Sequence, residues 1–260
     1  MTSFEYAVSS VQGMRPTMED REIVLPIPPI YFLGLFDGHG GSYVSHLAKV
    51  NIPQILQWKI KKSSKNYASR LVETGLDFDQ KLFTINPAFK MVGTTSLMAV
   101  VTPSEIHLAN CGDCRAIIFT ERGELLGRTL DHKPDARVEA HRILQAGSVV
   151  INGRINGNLS VSRGFGDFDE GLKVRGGKYL GVKAPLSPLA DPYTFPRIPG
   201  TYLLLACDGL WDVLSSEEVA MWIAAQLGSK NLQEIVNGLT KMAIEEKRST
   251  DNITVILSRC

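Results

Sequence analysis

Long apolar runs are missing from this sequence, and no segment approaches the roughly 20 residues that a bilayer-spanning helix needs. The first residues, Met1 and Thr2, begin neither a signal peptide nor a myristoylation site. Long blocks of one charge are missing too, and the formal net charge is +1. These absences argue against a membrane or a nucleic acid as the main partner. They predict a protein of the cytoplasm, or of the cytoplasm and the nucleus.

Cysteine is scarce, with four residues in 260, which is typical of a reduced intracellular protein. Cys111 and Cys114 form a C-x-x-C motif, a spacing also found in zinc sites and redox pairs. No second C-x-x-C or H-x-x-x-H motif completes a zinc site, and no thioredoxin-like pattern surrounds the pair. We interpret both cysteines as small residues beside strands, with zinc binding and redox chemistry as the less favoured hypotheses.

The apolar pattern predicts strands first, then two helices, many strands, two more helices and a last strand. Hairpin signals such as Asn152-Gly153 favour antiparallel pairing, and helices that occur in pairs favour the outer faces of a sheet. Two stacked antiparallel sheets satisfy both demands. The sequence therefore predicts an α+β fold, with a central antiparallel β-sandwich flanked on both faces by pairs of α-helices.

No linker or internal repeat divides the chain, so residues 1–260 are predicted to form a single domain. The segment from about 168 to 195 is rich in Gly and Pro and has weak periodicity. We therefore predict an irregular flap there. Structureless loops of that length are usually functional or disordered.

Acidic residues recur at the ends of apolar strands. Asp37-Gly38 and Asp208-Gly209 each follow such a strand, and Asp251 stands just before another. Since the exit of one antiparallel strand lies beside the entry of its neighbour, these acids can gather at one rim. Two further positions can join them there: Glu19-Asp20 before a strand, and Asp113 in a tight turn between two strands, if that turn lies at the same rim.

Clustered carboxylates repel one another unless cations neutralise them. No cysteine or histidine cluster accompanies these acids, and an oxygen-only ligand set selects Mg²⁺, Mn²⁺ or Ca²⁺ over Zn²⁺ or Cu²⁺. Any one of the acids, taken alone, is best explained as a solvated turn residue. Together, at the edges of strands too apolar for a protein surface, they predict a metal site.

Arg15 and His39 indicate what this metal site acts on. Arg15 lies four residues before Glu19, and a guanidinium beside cations suits a phosphate that bridges to them. His39 can exchange a proton near neutral pH. A cysteine-nucleophile phosphatase needs Arg six residues after Cys, which this chain lacks, and a D-x-D-x-T motif is missing as well. Phosphoryl chemistry with a metal-activated water is the remaining hypothesis.

Eight motifs, in family order over nearly the whole chain, resemble those of the metal-dependent serine/threonine protein phosphatases of the type 2C class. They are R-x-x-M-E-D at 15–20, F-D-G-H-G-G at 36–41, G-T-T at 93–95, N-C-G-D-C-R at 110–115, D-H-K-P at 131–134, R-I-N-G-N-L-S-V-S-R-G-F-G-D at 154–167, A-C-D-G-L-W-D-V at 206–213 and D-N-I-T-V-I at 251–256. The resemblance implies a β-sandwich fold, a monomeric enzyme and phosphorylated proteins as substrates. It does not extend to residues 168–195, so substrate choice stays open.

The resemblance also implies a ligand set. Asp37 would bridge two Mg²⁺ or Mn²⁺ ions, with the Gly38 carbonyl on one of them, while Asp208 and Asp251 would bind the other ion. The remaining members are Glu19 and Asp20, which would act directly or through waters, and Asp113 and Asp212, which match positions that in some relatives hold a third, weaker ion with Asp208.

Two residues outside the ligand set take roles from the same resemblance. Arg15 would hold the substrate phosphate, and His39 would protonate the leaving serine or threonine oxygen. The alternative for His39 is a structural role, in which its imidazole only hydrogen-bonds the rim.

Two other functions compete with hydrolysis of phosphoserine and phosphothreonine on proteins. A pseudophosphatase would use the same fold as a binding module, but its hallmark, a lost metal acid, is not found in the sequence. A metal-dependent nuclease or nucleotide hydrolase would explain the acids, but neither the eight motifs nor the neutral charge. The leading hypothesis is therefore the protein phosphatase.

Overall fold

The computed structural model describes residues 4–62 and 66–260. The prediction made from Met1 and Thr2 lies outside these residues. The described helices are α1 (Tyr43–Lys62), α2 (Tyr67–Ile85), α3 (Arg137–Gln145), α4 (Asp208–Trp211), α5 (Ser216–Gln226) and α6 (Leu232–Glu245).

The strands come in groups before, between and after these helices. Before α3 they are β1 (Tyr6–Val11), β2 (Arg21–Ile27), β3 (Ile30–Phe36), β4 (Gly38–His39), β5 (Gly93–Thr94), β6 (Ser96–Val101), β7 (Glu105–Cys111), β8 (Arg115–Thr120) and β9 (Leu125–Arg128). After α3 they are β10 (Val150–Ile151), β11 (Arg154–Ile155), β12 (Phe165–Gly166), β13 (Val174–Arg175), β14 (Lys178–Tyr179), β15 (Asp191–Pro196), β16 (Thr201–Ala206) and β17 (Ile253–Arg259).

Two five-stranded antiparallel sheets lie at the centre of the fold. Sheet I has the strand order β1-β17-β16-β8-β9, and sheet II has the order β15-β7-β6-β3-β2. Helices α1 and α2 pack on the outer face of sheet II, and α5 and α6 pack on the outer face of sheet I. The predicted α+β fold, an antiparallel sandwich flanked by helix pairs, is confirmed.

The helices α5 and α6 begin at capping boxes that the sequence specifies. Ser215 accepts a hydrogen bond from the backbone of Glu218, whose side chain accepts one from the Ser215 backbone in return. Asn231 and Glu234 do the same at the start of α6. These reciprocal bonds satisfy backbone donors that have no partner inside the helix.

The central strands are apolar throughout because both of their faces are buried. In β3, Phe32 and Phe36 pack towards α1 and α2, whereas Leu33 and Leu35 pack in the layer between the two sheets. Strand β16 divides its residues between two cores in the same way. A strand buried on both faces reads as a continuous apolar run. The residue that follows such a strand is therefore held firmly at the end of that strand.

The prediction of an irregular flap at about 168–195 is wrong for part of that segment. Strand β15 pairs with β7 from Asp191 to Pro196 and forms one edge of sheet II. Its two prolines make this strand hard to predict from the sequence, because proline has no N–H to donate to a neighbouring strand. An edge strand tolerates proline, since an N–H that faces away from the sheet is not needed. Earlier in the segment β13 and β14 pair as a hairpin, and Lys173 is fully buried. The segment is thus packed into the fold over much of its length.

None of the described helices combines the length and the apolar character that crossing a membrane requires. The division of the chain into one domain, residues 1–260, stays a prediction.

Candidate metal centre

A cleft of about 420 Å³ opens where the exits of β3 and β16 meet the entries of β2 and β17. Of the predicted site residues, Asp20 is buried with 2% of its surface exposed, and Asp212 is exposed at the end of α4. The others line the cleft: Arg15, Glu19, Asp37, Gly38, His39, Asp113, Asp208 and Asp251.

Two groups of ligand atoms come close together at this cleft. Asp37, Asp113 and Asp208 each contribute an oxygen, and these oxygens lie within 4.8 Å of one another. A second group joins Asp20 and Asp37 to the thiol of Cys207 within the same distance. Asp37 is the carboxylate common to both groups, which is the position that a ligand shared between two cations takes.

Several buried oxygens of these acids have no partner within the described part of the chain. Both carboxylate oxygens of Asp20 and the Oδ1 atom of Asp113 accept no hydrogen bond there. Burying a carboxylate without a partner is costly, and native proteins avoid it unless an ion or water satisfies the group. Hard divalent cations take carboxylate and carbonyl oxygens as ligands. The residues present therefore fit Mg²⁺ or Mn²⁺.

The acids also disturb each other's ionisation. Burial raises the pKa of Asp37 well above its ordinary value, and the neighbouring carboxylates of Asp20 and Asp208 raise it further. Burial and then the charge of Asp113 raise the pKa of Asp208 to about 8. This is the behaviour of carboxylates that are crowded together without a cation.

These pKa shifts predict how the stability of the metal-free protein depends on pH. Because the folded-state pKa of Asp208 is raised, folding binds protons between the ordinary value of 3.8 and about 8. We therefore expect the free energy of unfolding to fall as pH rises through this window. The Asp208→Asn protein should be more stable than wild type at pH 8, by at most about 6 kcal/mol at about 1.4 kcal/mol per pKa unit, and its stability should depend less on pH. Urea unfolding of the metal-stripped proteins at pH 5, 6.5 and 8 measures this. The same change of unfolding free energy with pH in both proteins would contradict it.

His39 is held by a partner that the sequence analysis did not assign. Its Nε2 lies 2.7 Å from Oδ2 of Asp167, whose side chain is buried. Burial lowers the pKa of His39, but the charge of Asp167 and the hydrogen bond to it outweigh that effect, so the pKa is raised overall. Gly93 makes the contact possible, since a Cβ atom there would overlap the Asp167 carboxylate. The arrangement favours a proton on His39 near neutral pH.

Arg15 lies at the mouth of the cleft beside Asp251. Its Nη2 donates to Oδ2 of Asp251 over 2.6 Å, and the Arg15 side chain is 56% exposed. Asn252 fixes the loop that carries Arg15, because its Nδ2 donates to the carbonyl oxygens of Gln12 and Thr17 at 2.8 and 2.9 Å. The loop that carries Arg15 is thus fixed, and the exposed guanidinium is accessible to an anion.

Glu19 and Gly38 also line the cleft. The two carboxylate oxygens of Glu19 accept hydrogen bonds from Thr17 Oγ1 at 2.8 Å and from the Gly41 backbone at 3.1 Å. A Cβ atom on Gly38 would lie 2.6 Å from the Glu19 carbonyl oxygen and 2.8 Å from Ser45 Oγ. Glycine is therefore required for the backbone to approach Glu19 and Ser45 this closely.

A sequence model described as Protein phosphatase 2C matches residues 4–253 of the chain. The chain belongs to the protein phosphatase 2C family. "Probable protein phosphatase 2C 5" of Paramecium tetraurelia is 30% identical over 274 residues, which cover 98% of this chain and 92% of the relative. "Protein phosphatase 1B" of Mus musculus is 31% identical over 278 residues, which cover 97% of this chain and 69% of the relative.

Solved structures agree with this assignment at the level of the fold. A phosphatase from a pathogenic strain of Toxoplasma gondii superposes with a TM-score of 0.87 at 24% identity, over 98% of this chain and 92% of its own. The predicted family, enzyme class and dependence on Mg²⁺ or Mn²⁺ are confirmed for this protein phosphatase 2C. The pseudophosphatase alternative is not favoured, because each predicted acid is present.

The structure of this phosphatase adds two residues to the site that the sequence analysis missed. Lys133 Nζ donates to Asp113 Oδ2 over 2.5 Å and lies 3.8 Å from Asp208 Oδ2, so a fixed positive charge sits against these carboxylates. Asp167 is the partner of His39. Both stand in motifs that were noticed, D-H-K-P and G-F-G-D, but spacing alone does not tell which distant residue each side chain meets.

Proposed function

We propose that this phosphatase hydrolyses phosphoserine and phosphothreonine on proteins through two Mg²⁺ or Mn²⁺ ions. The observation that carries the proposal is the position of Asp37, which belongs to both close groups of ligand atoms. Bound ions would supply an activated water and would neutralise charge on the transferring phosphoryl group.

We assign the acids to the ions as the family resemblance implies. Asp37, common to both close groups, would be shared by the two ions, with the Gly38 carbonyl on one of them, and Asp208 and Asp251 would hold the other. The unpartnered oxygens of Asp20 support its participation, together with Glu19, directly or through waters. For a third, weaker ion we propose Asp113 and Asp212 with Asp208, of which Asp113 is already paired with Lys133.

Arg15 and His39 act on the substrate in this proposal. Arg15 exchanges its contact with Asp251 for the phosphate, since a guanidinium binds two phosphate oxygens at once. His39 gives its proton to the leaving serine or threonine oxygen, and Asp167 keeps the imidazole protonated and oriented. The substrates are phosphorylated proteins, and we propose a monomer that acts in the cytoplasm or in the cytoplasm and nucleus without nucleic acid or membrane partners.

Phosphate release from a phosphothreonine peptide tests the proposed function. We expect turnover with Mn²⁺ or Mg²⁺, loss of at least about 99% of it after treatment with a chelator, and recovery on adding the metal back. ATP under the same conditions serves as the comparison substrate, because a nucleotide hydrolase would prefer it. Turnover that survives complete chelation, or preference for ATP over the peptide, would count against the proposal.

A further inference from the structure

A buried ion pair lies outside the candidate metal centre described above. Asp79 on α2 and Lys173 are both fully buried, and Lys173 Nζ donates to both carboxylate oxygens of Asp79 at 2.8 Å. Tyr179 also donates its hydroxyl to Asp79, over 2.5 Å. The pair touches none of the candidate metal ligands in these hydrogen bonds, so metal binding does not explain it.

The same pair fixes two peptide groups that lead to His39's partner. Asp79 Oδ1 accepts from the Gly166 backbone at 2.8 Å, and Lys173 Nζ donates to the Gly164 carbonyl at 2.7 Å. Phe165, between these two glycines, packs edge-on against Phe78 of α2 with ring centroids 5.5 Å apart. The backbone is therefore held on both sides of Phe165 immediately before Asp167.

Asp167 needs such support because its own conformation is unusual. Its φ angle is +53°, in the left-handed region that non-glycine residues seldom occupy. Residues stay in such conformations only where their surroundings determine them fully. From this backbone the Asp167 carboxylate reaches His39 Nε2 at 2.7 Å.

We propose that Asp79 and Lys173 are positioning residues, which hold Gly164 to Asp167 so that Asp167 keeps His39 aimed at the leaving oxygen. The inference rests on the proposed function, in which His39 is the proton donor. A misplaced donor slows only those substrates whose leaving group needs a proton. Loss of a purely structural ion pair would lower activity on every substrate alike.

The test compares two substrates in the holoenzyme: a phosphothreonine peptide and p-nitrophenyl phosphate, whose leaving group needs no proton. The double variant Asp79→Leu/Lys173→Met removes both buried charges at similar volume, so no unpaired charge remains. We expect kcat for the peptide to fall roughly tenfold relative to kcat for p-nitrophenyl phosphate. The milder Asp79→Asn/Lys173→Met variant, which keeps an acceptor for Gly166, should shift the ratio less and replaces the first variant if that one does not fold.

Asp77→Asn is the matched control. Asp77 also lies on α2 and pairs with Lys59 at 2.7 Å, but its side chain is 55% exposed and belongs to a different ion pair. The ratio of the two kcat values should be unchanged in this variant. In a His39→Ala background the Asp79 and Lys173 changes should add no further shift in the ratio.

The outcomes separate this inference from the proposed function. A folded pair variant that keeps the wild-type ratio, or that slows both substrates equally, overturns the positioning role. A further shift on top of His39→Ala overturns it as well. If His39→Ala itself leaves the ratio unchanged, the proposed role of His39 fails first. A changed ratio in His39→Ala but not in the pair variant rejects the positioning role alone.

Discussion

Replacing Asp37 by Asn is expected to reduce kcat for a phosphothreonine peptide by about a thousandfold, since losing several kcal/mol of charge stabilisation has an effect of that order. Asp37 is the carboxylate shared by the two close ligand groups, so its loss weakens both proposed ion sites at once. The amide keeps the size of the side chain but carries no negative charge. Steady-state kinetics with increasing Mn²⁺, together with calorimetric titration of Mn²⁺, measure the loss of activity and of affinity.

The fold should survive this substitution. Removing a half-buried, crowded carboxylate relieves repulsion, so the metal-free Asp37→Asn protein should unfold at a temperature equal to or above that of wild type. Asp135→Asn, on the exposed surface, is the control and should leave kcat and Mn²⁺ affinity unchanged. A folded Asp37→Asn protein with wild-type turnover would remove Asp37 from the site.

The His39→Ala substitution has the second large expected effect, and it depends on the substrate. For a phosphothreonine peptide we expect kcat to fall about a hundredfold, the usual contribution of a positioned general acid. For p-nitrophenyl phosphate the fall should be less than about threefold, because that leaving group departs without a proton. Parallel measurements at saturating Mn²⁺ and pH 7 separate the two cases.

Asp167→Asn provides the companion measurement for His39. It removes the charge that raises the histidine pKa while leaving the metal ligands in place. The variant should reproduce the substrate-dependent loss of His39→Ala in a weaker form. Equal slowing of both substrates by His39→Ala would instead assign the imidazole a structural role at the rim.

The sequence was informative where chemistry follows from local pattern. Strands β3 and β16 read as apolar runs because both faces are buried, and each ends in Asp-Gly. From that pattern alone the meeting of Asp37 with Asp208 could be predicted, since antiparallel neighbours bring exits and entries together. The helix pairs followed from apolar spacing in the same way.

Other features depend on contacts between distant residues and could not be predicted. Strand β15 has prolines at Pro192 and Pro196, and its place in the sheet follows from its pairing with the distant strand β7. The contact of Lys133 with Asp113 and that of Asp167 with His39 depend on how separate loops converge. The four-residue helix α4 is too short to leave a periodic signal.

The place of β17 in sheet I has a consequence for how the enzyme folds and becomes active. This strand lies between β1 and β16, and its pairing joins Tyr6 to Ser258. Contacts so far apart in the chain require the closure of very long loops, which makes folding slow. Asp251 lies just before β17, so the acid cluster is incomplete until that strand has docked. A chain in which β17 has not yet docked is therefore inert, and catalytic competence arrives together with the closure of the sheet.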